Sequence, residues 1–305
     1  MSVAFSLCPA PPFRLDLTVW TLRRRPSNAV DRWDGETYRR ALVLNDAPVE
    51  IAVRQTAPPN APRLQVIVSG KRADSETKAA ATKAIERLLG IRIDLKDFYR
   101  LAARDARLSV LAKRFRGMKP PRFPTLFEAL VNATACQQVT LTLGILLLNR
   151  LAENFGVAVK GEIETAHAFP RPEDLVRAAP RDLRRLGFSY QKAHALIELS
   201  RAAMSGQLDD ERLSQMPDDA AVECLREHRG VGRWTAEYAL LRGMGRLNVF
   251  PGDDVGAQNN LQRWLKRRAP MDYARVHRTI ARWAPYAGLI YFHLLLDRLA
   301  DAGYV

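Results

Sequence analysis

Two adjacent aspartates, Asp253 and Asp254, follow a Pro251–Gly252 dipeptide and precede a segment with helical periodicity. Acids are the minority in this chain, which has 47 Lys and Arg against 33 Asp and Glu. One aspartate suits the N-cap of the following helix, where a carboxylate accepts hydrogen bonds from free N–H groups. The helix dipole also favours a negative charge there. Two acids exceed the need of one cap, so we expect the pair to provide an ionised carboxylate that can face a positive charge.

A glycine-bracketed turn, Gly230-Val231-Gly232, lies upstream of the acids between two segments with helical periodicity. Glycines permit positive φ and leave no side chain in the way. The N–H groups of Gly230 and Gly232, with the free N–H groups that open the next helix, can therefore face one phosphate. Arg233 adds a positive charge and Thr235 a hydroxyl. Taken alone, the same turn also fits an ordinary pair of helices joined by a glycine cap.

Aromatic residues close to the turn could form a pocket. Trp234 and Tyr238 are four residues apart, so they lie on one face of the helix that follows the turn. Because an aromatic face attracts a cation by about 0.5–2 kcal/mol, the pair suits a flat cationic ligand, although both could instead be core residues. Trp283, Tyr286 and Tyr291, near the C-terminus, are further candidates for this pocket.

Composition limits the class of partner and compartment. A formal net charge of +14 and a pI near 10.1 point to a polyanion, with nucleic acid as the first candidate. No apolar run approaches the roughly 18 residues that span a bilayer, so we expect no membrane partner. The start has no basic region before its short apolar patch, and we expect no signal peptide. Three scattered cysteines fit a reducing cytoplasm and exclude a four-cysteine metal or iron–sulfur site.

The first 96 residues predict a small antiparallel sheet with at least one helix. "FRLDLTVW" alternates apolar and polar residues, which predicts a strand, as do "YRRALVL", "VEIAVRQ" and "RLQVIVSG". Residues 45–48 fit a hairpin turn. Residues 75–89 predict a helix, with Asp74 or Ser75 as its cap and Gly90 at its end.

From residue 97 onward the pattern is helical, and we find no convincing strand there. The long apolar stretch 125–156 predicts helices broken near Gln137. The sequence therefore predicts an α+β protein with an N-terminal sheet domain, residues 1–96, followed by an all-helical region, residues 97–305.

The motifs together resemble a known family. "HRGVGRWTAEYALLRG" followed by "VFPGDD" resembles the helix-hairpin-helix DNA glycosylases, in particular their alkylation-repair branch of the DNA-3-methyladenine glycosylase II type. "RWDGETYRRAL", "ATACQQVTLTLGILLLNRLAENFG" and "LRRLGFSYQKAHALIELSRA" are similar to that branch as well. The resemblance covers nearly the whole chain and implies a helix-hairpin-helix glycosylase region over 97–305.

The resemblance implies a role for each motif. The second aspartate of the family's motif is catalytic, which falls on Asp254 and leaves Asp253 a structural role. A residue in the loop after the first long helix wedges into the duplex, which falls on Gln138. No cofactor is required, although a structural Na⁺ or K⁺ could bind at the hairpin. The phosphate contacts fall on Gly230, Gly232, Arg233 and Thr235, and the backbone carbonyls for the cation fall on Arg226, His228 and Val231.

The implied activity is that of a monofunctional DNA glycosylase. It would flip out and excise alkylated bases such as 3-methyladenine from double-stranded DNA in base excision repair, as a DNA-associated monomer in a bacterial cytoplasm. A cationic base leaves neutral, so one carboxylate suffices. Trp234 stands where bifunctional relatives have a lysine nucleophile. The alternatives are a bifunctional glycosylase/lyase for oxidised bases, a non-catalytic helix-hairpin-helix DNA-binding protein and a basic RNA-binding protein.

Overall fold

The computed structural model describes residues 1–71, 74–161 and 165–305. Within these ranges, five N-terminal strands form one sheet in the order β1-β5-β4-β3-β2, and every neighbouring pair is antiparallel. Its strands are β1 Ser2–Leu7, β2 Arg32–Trp33, β3 Thr37–Leu44, β4 Ala47–Gln55 and β5 Leu64–Gly70.

Most of the remaining described chain is helical, which confirms the expected α+β class. A π-helical turn, Leu240–Met244, continues α12, and a 3₁₀ turn, Ala281–Trp283, continues α14. The helices are α1 Leu15–Arg23, α2 Ser75–Leu89, α3 Lys96–Ala102, α4 Ala106–Arg114, α5 Leu126–Cys136, α6 Leu141–Phe155, α7 Pro172–Leu175, α8 Pro180–Arg185, α9 Tyr190–Met204, α10 Asp210–Ser214, α11 Asp218–Arg226, α12 Arg233–Ala239, α13 Val255–Trp264, α14 Tyr273–Ile280 and α15 Ala287–Asp301.

Local signals in the sequence place several element ends correctly. Asp74 caps α2, since its carboxylate accepts a hydrogen bond from the N–H of Thr77 at 2.8 Å. Gly90 ends the same helix with φ +58°. The turn between β3 and β4 is made by Asn45 and Asp46, which both have positive φ. The break predicted near Gln137 separates α5 from α6.

The strand predicted at "FRLDLTVW" is wrong, because these residues form most of α1. Leu15, Leu17, Val19 and Leu22 are all buried, although a helix directs them to different sides. Since α1 packs against both α2 and α15, it is covered on more than one side. Burial on several sides leaves no polar stripe, and the alternation of three apolar residues therefore resembled a strand.

The structure also contains strands that were not predicted from the sequence. β1 was missed altogether, and a short hairpin of β6 Ala158–Lys160 and β7 Thr165–His167 lies in the region where no strand was expected. Three-residue strands carry too little alternation to be recognised. This hairpin also depends on tertiary packing, since β6 contacts β4 and β7 contacts β3.

α12 and α13 belong to two different apolar clusters and meet where these clusters adjoin. Ala236 and Ala239 of α12 belong to one cluster, with Val66 of the sheet, while Ala257 of α13 belongs to the other, with Leu289 of α15. The boundary predicted between residues 96 and 97 stays a prediction. In the described ranges, we find no helix of the length and apolarity that crossing a bilayer requires.

Candidate active site

Asp254 is the N-cap of α13 and lies where α12, α13 and α15 meet. Its Oδ1 accepts a hydrogen bond from the N–H of Ala257 at 2.9 Å. Its Oδ2 accepts two more, from Trp234 Nε1 at 3.1 Å and from the Tyr291 hydroxyl at 3.0 Å. All three donors are neutral, and Asp254 makes no ion pair with any described residue. The carboxylate is therefore fixed in orientation while its charge is left uncompensated.

Tyr291 acts on Asp254 only as a donor. Burial raises the pKa of Tyr291 well above its ordinary value, and the negative charge of Asp254 raises it further. The phenol thus keeps its proton and its hydrogen bond. The sequence suggested Tyr291 only as a pocket residue, and the structure places it in the lining of the cavity beside Asp254. Its hydrogen bond to Asp254 could not be predicted, because the two residues lie 37 positions apart on different helices.

The neighbouring acid has a different partner. Asp253 forms an ion pair with Arg233 at 2.8 Å, and this hydrogen bond raises the pKa of the Arg233 guanidinium. The same guanidinium lies over the ring of Tyr273, 3.7 Å from its centroid. Asp253 therefore ties the loop before α13 to the start of α12, which leaves Asp254 as the unpaired acid of the two.

A buried carboxyl group, Glu237, supports this loop from behind. Glu237 is 4% exposed and accepts hydrogen bonds from the N–H of Gly252 at 3.0 Å and from the Tyr273 hydroxyl at 2.7 Å. Burial raises the pKa of Glu237 to about 7. A Cβ on Gly252 would lie 2.7 Å from the Tyr273 ring and 2.8 Å from His277, so only glycine fits there. Glu237 could not be identified from the sequence, because no local signal distinguishes it from other polar residues of a helix.

A cavity of about 1740 Å³, here called the aromatic cavity, opens beside Asp254. Its walls come from the end of α1, the loop between α5 and α6, and helices α12, α13 and α15. Trp234 and Tyr238 both line it, with ring centroids 5.5 Å apart. Gln138 and Leu295 lie on other sides of the cavity. The space is sufficient for a flat ring against the aromatic wall and next to the carboxylate.

The structure places Trp283 and Tyr286 outside the aromatic cavity, which corrects their predicted position. The Trp283 indole donates to Asp105 Oδ2 at 2.9 Å, and Tyr286 packs edge-on against Phe98 with centroids 5.6 Å apart. Both side chains therefore face α3 and the start of α4, whereas Tyr291 faces Asp254. Because these aromatic residues are close together in sequence, the sequence did not indicate which of them would face the aromatic cavity.

Arg24, which sequence analysis did not consider, lines the aromatic cavity from the end of α1. Its guanidinium donates to the Tyr238 hydroxyl at 2.9 Å and to Asn132 Oδ1 at 2.5 Å, and Arg24 is only 4% exposed. Burial opposes the charge, but the neighbouring Tyr238 and Cys136 raise the net pKa of Arg24. The N-terminal region thus contributes a fixed positive charge to the cavity and holds the Tyr238 hydroxyl in place.

The glycines of the turn before α12 have different constraints. Gly230 has φ +79°, and a Cβ there would lie 2.6 Å from the Ala195 Cβ, so the turn itself requires glycine. Gly232 is the N-cap of α12 with φ −86°, and a Cβ there would meet nothing within 4 Å. The face of the turn at Gly232 is therefore open to a ligand.

Thr235 does not present its hydroxyl to that open face. The side chain is 1% exposed, and its Oγ1 accepts a hydrogen bond from Gln137 Nε2 at 2.8 Å. The same amide nitrogen of Gln137 donates to the Gly230 carbonyl at 2.8 Å. Gln137 therefore joins the α5–α6 loop to the turn, and Thr235 would meet a bound anion through its main chain.

Gln138 is an exposed residue of the α5–α6 loop and has φ +51°. The loop before it is held by Lys192, whose amine donates to the carbonyls of Ala135 at 3.0 Å and of Gln137 at 2.7 Å. Burial lowers the pKa of Lys192. Gln138 thus projects at the rim of the aromatic cavity from a loop that is anchored on its N-terminal side.

The carbonyls predicted to hold a monovalent cation lie at the end of α11 and in the turn. Arg226 is the last residue of α11, and the His228 carbonyl accepts a hydrogen bond from the N–H of Val231 at 3.1 Å. Main-chain oxygens at the negative end of a helix dipole suit Na⁺ or K⁺. The donor set fits the predicted ion, and its binding stays a prediction.

Comparison with known proteins gives one family and one fold. The family model for "HhH-GPD superfamily base excision DNA repair protein" matches residues 131–285. The chain is 33% identical to a DNA-3-methyladenine glycosylase of Bacillus subtilis (strain 168), over 55% of this chain and 56% of that protein. It is also 33% identical to DNA-3-methyladenine glycosylase 2 of Escherichia coli (strain K12), over 58% of this chain and 60% of that protein.

The alignments thus span less than two thirds of these two relatives. The fold extends further, because the solved 3-methyladenine DNA-glycosylase from Archaeoglobus fulgidus superimposes with a TM-score of 0.83 at 23% identity. That superposition covers 97% of this chain and 99% of the other. The N-terminal sheet and the helices therefore form one shared architecture.

Proposed function

The chain belongs to the HhH-GPD superfamily of base excision DNA repair proteins, and we propose that it excises alkylated bases such as 3-methyladenine from double-stranded DNA. The observation that carries this proposal is the unpaired Asp254 carboxylate, held by neutral donors beside the aromatic cavity. The names of its glycosylase relatives support the substrate class. A single chain supplies the turn, the cavity and the carboxylate, so we propose that it acts as a monomer.

DNA binds through its phosphates at the glycine turn. The N–H groups of Gly230, Gly232 and the first turn of α12 would bind a phosphate at the open face, where the helix dipole favours an anion. Arg233 adds positive charge beside it. A Na⁺ or K⁺ held by the carbonyls of Arg226, His228 and Val231 would supply further positive charge to the phosphate.

The damaged base leaves the duplex before it reacts. A base inside a stacked duplex cannot reach Asp254, and flipping it out costs a few kcal/mol. Gln138, exposed at the rim of the aromatic cavity, fills the space that the base vacates. Trp234 and Tyr238 then receive the base, and an aromatic surface favours a flat cationic ring.

Cleavage of the bond between the base and the sugar then needs only one carboxylate. The bond between the sugar C1′ and the base nitrogen breaks, and its electron pair leaves on the base. Since alkylation has already made the base positive, it departs neutral without a general acid. The sugar becomes oxocarbenium-like, and the Asp254 carboxylate stabilises that charge, an effect typically worth about 10²–10³ in rate. Water adds to C1′ and releases a proton.

The same residues argue against a lyase step. A lyase needs an amine that attacks C1′, and none of the described residues that line the aromatic cavity is a lysine. Trp234 occupies the second position after the turn, where bifunctional relatives have their lysine. The amine of Lys192 is held by two carbonyls of the α5–α6 loop. The product is therefore an intact strand with an abasic site, which borohydride trapping would leave uncrosslinked.

The test is to incubate the protein with methylated duplex DNA and to identify the released bases by chromatography. The proposal predicts 3-methyladenine among the products and no strand break before alkaline treatment. A non-catalytic DNA-binding protein would retain the duplex and release nothing, which would refute the proposal. A covalent complex trapped at stoichiometric yield would instead establish a lyase.

A further inference from the structure

A second cavity of about 570 Å³, here called the arginine cavity, lies in the segment that links α13 to α14 and along α14 itself. It shares no lining residue with the aromatic cavity. None of its described lining residues is acidic. Its walls are Arg267, Ala269, Met271, Arg275, Arg278, Thr279 and Arg282.

The positive charge around this cavity is largely uncompensated. Within the described ranges, the side chains of Arg267 and Arg278 make no hydrogen bond or ion pair. Arg275 donates to the Pro270 carbonyl at 3.0 Å, which does not neutralise its charge. Arg282 lies over the Trp283 ring, 4.2 Å from its centroid, and is 3.8 Å from the carboxylate of Asp105. Like charges held together repel, so this cluster favours an anion.

The position of the cluster connects it to the DNA-facing turn. Arg275 and Arg278 lie on one face of α14, while Tyr273 and His277 lie on another and stack with centroids 4.1 Å apart. Tyr273 in turn carries the guanidinium of Arg233, next to the glycine turn. α14 therefore lies between the row of arginines and the glycine turn, and DNA that extends past the turn across α14 would reach the row.

The length and chemistry of the row match a nucleic acid backbone. From Arg275 to Arg282 the chain rises roughly 10 Å at about 1.5 Å per residue. One DNA strand carries a phosphate about every 3.4 Å of helix axis, and successive phosphates along the winding strand are farther apart, so the row can reach roughly two to three phosphates. The planar guanidinium also binds phosphate oxygens through two parallel hydrogen bonds.

We propose that the arginine cavity binds the phosphate backbone of DNA that flanks the lesion, beyond the segment held by the glycine turn. This inference rests on the proposed function for the position of the DNA. The site would lengthen the bound duplex and strengthen binding without entering the chemistry at Asp254.

The test compares two triple variants that each remove three positive charges. One is Arg267→Gln/Arg275→Gln/Arg278→Gln, which leaves Arg282 in place because it packs on Trp283. The control is Arg63→Gln/Arg177→Gln/Arg201→Gln, whose residues are exposed and line neither cavity. Each protein is titrated with a lesion duplex of about four helical turns, roughly 40 base pairs, at several salt concentrations.

The cavity variant should bind this long duplex at least tenfold more weakly. Its plot of log affinity against log salt should be shallower by about 2–3, since each lost phosphate contact contributes about 0.9. In the control variant, the affinity for the long duplex and the slope of the salt plot should change much less. At saturating enzyme, excision from a lesion duplex of about one turn, roughly 10 base pairs closed by a loop, should match the wild type.

Equal losses in both triple variants would show an effect of net charge alone and would overturn the site. Unchanged long-duplex affinity of the cavity variant would overturn it as well. The two proposals fail separately. If the wild type released no base while the cavity variant still lost affinity selectively, the glycosylase proposal would fall and the backbone site would stand.

Discussion

The indole nitrogen of Trp234 donates a hydrogen bond to Oδ2 of Asp254 over 3.1 Å, and this contact joins α12 to the start of α13. Trp234 also forms a wall of the aromatic cavity. In the proposed reaction, this one side chain would line the space for the base and orient the carboxylate toward the sugar. The two roles can be separated, because phenylalanine keeps an aromatic surface and lacks the donor.

We expect Trp234→Phe to slow base release about 10- to 100-fold, because a hydrogen bond to a charged group contributes about 1.5–3 kcal/mol. Duplex affinity should change little. Single-turnover excision and fluorescence anisotropy measure the two effects. The control is Trp264→Phe, which removes an indole that packs on Trp283 away from the aromatic cavity. Equal rates for Trp234→Phe and the wild type would show that this hydrogen bond does not support the reaction.

The open face at Gly232 gives a prediction about binding alone. A Cβ there meets no protein atom within 4 Å, so Gly232→Ala should fold normally. It should nevertheless weaken binding to damaged and undamaged duplex alike, since phosphate contacts carry no sequence information. Gly232→Asp adds a negative charge at the same point and should weaken binding further, by about 10-fold or more, roughly 1.4 kcal/mol. Anisotropy titrations with unchanged affinity for both variants would exclude this face as the phosphate site.

Gln138 combines an exposed side chain with a backbone conformation that glycine adopts more easily. Its φ of +51° costs an ordinary residue roughly 1–2 kcal/mol. We therefore expect Gln138→Gly to keep or raise the melting temperature while it slows excision from duplex DNA, because no side chain then fills the vacated space. Excision from a single strand, which needs no wedge, is the internal control. A variant that loses both activities in parallel would contradict the wedge role.

The raised pKa of Glu237 leads to a prediction about how the stability of the protein depends on pH. Its pKa is raised from 4.5 to about 7 by burial, so between these values the folded protein holds a proton that the unfolded chain has lost. The stabilising contribution of Glu237 is therefore complete below about pH 4.5 and declines as the pH rises toward 7. Glutamine cannot ionise, so the melting temperature of the wild type should fall relative to Glu237→Gln across this window.

The matched control for that measurement is Glu223→Gln, which changes an exposed carboxylate on α11. Because this variant keeps Glu237, its melting temperature should fall across the same pH range as that of the wild type. Parallel curves for the wild type and Glu237→Gln would mean that Glu237 does not retain its proton in the folded state.

Features encoded by short stretches of sequence could be predicted. The cap at Asp74, the turn at Asn45 and Asp46 and the glycine turn before α12 depend on neighbouring residues only. The position of Asp254 at the start of a helix is local in the same sense. This is why the helical region and its two chemical motifs could be recognised before any tertiary structure was known.

Features that depend on tertiary contacts could not be predicted from the sequence. α1 resembled a strand because several elements bury it from different sides. Arg24 reaches Tyr238 across 214 residues of sequence, and no local pattern distinguishes it from the arginines beside it. Trp283 looked like a pocket residue, but its indole donates a hydrogen bond to Asp105 at the start of α4. In each case the decisive partner lies on an element remote in sequence.

The most direct test of the account is the single-turnover rate of base release by Asp254→Asn on methylated duplex, measured together with duplex affinity. We expect the rate to fall about 10²–10³-fold, because the charge that stabilises the sugar cation is removed. Affinity should be unchanged or tighter, since a negative charge near DNA is lost. Asp253→Asn, which breaks the ion pair with Arg233, should be milder. Near-normal release by Asp254→Asn, or a larger loss in Asp253→Asn, would contradict the assignment of Asp254 as the catalytic carboxylate.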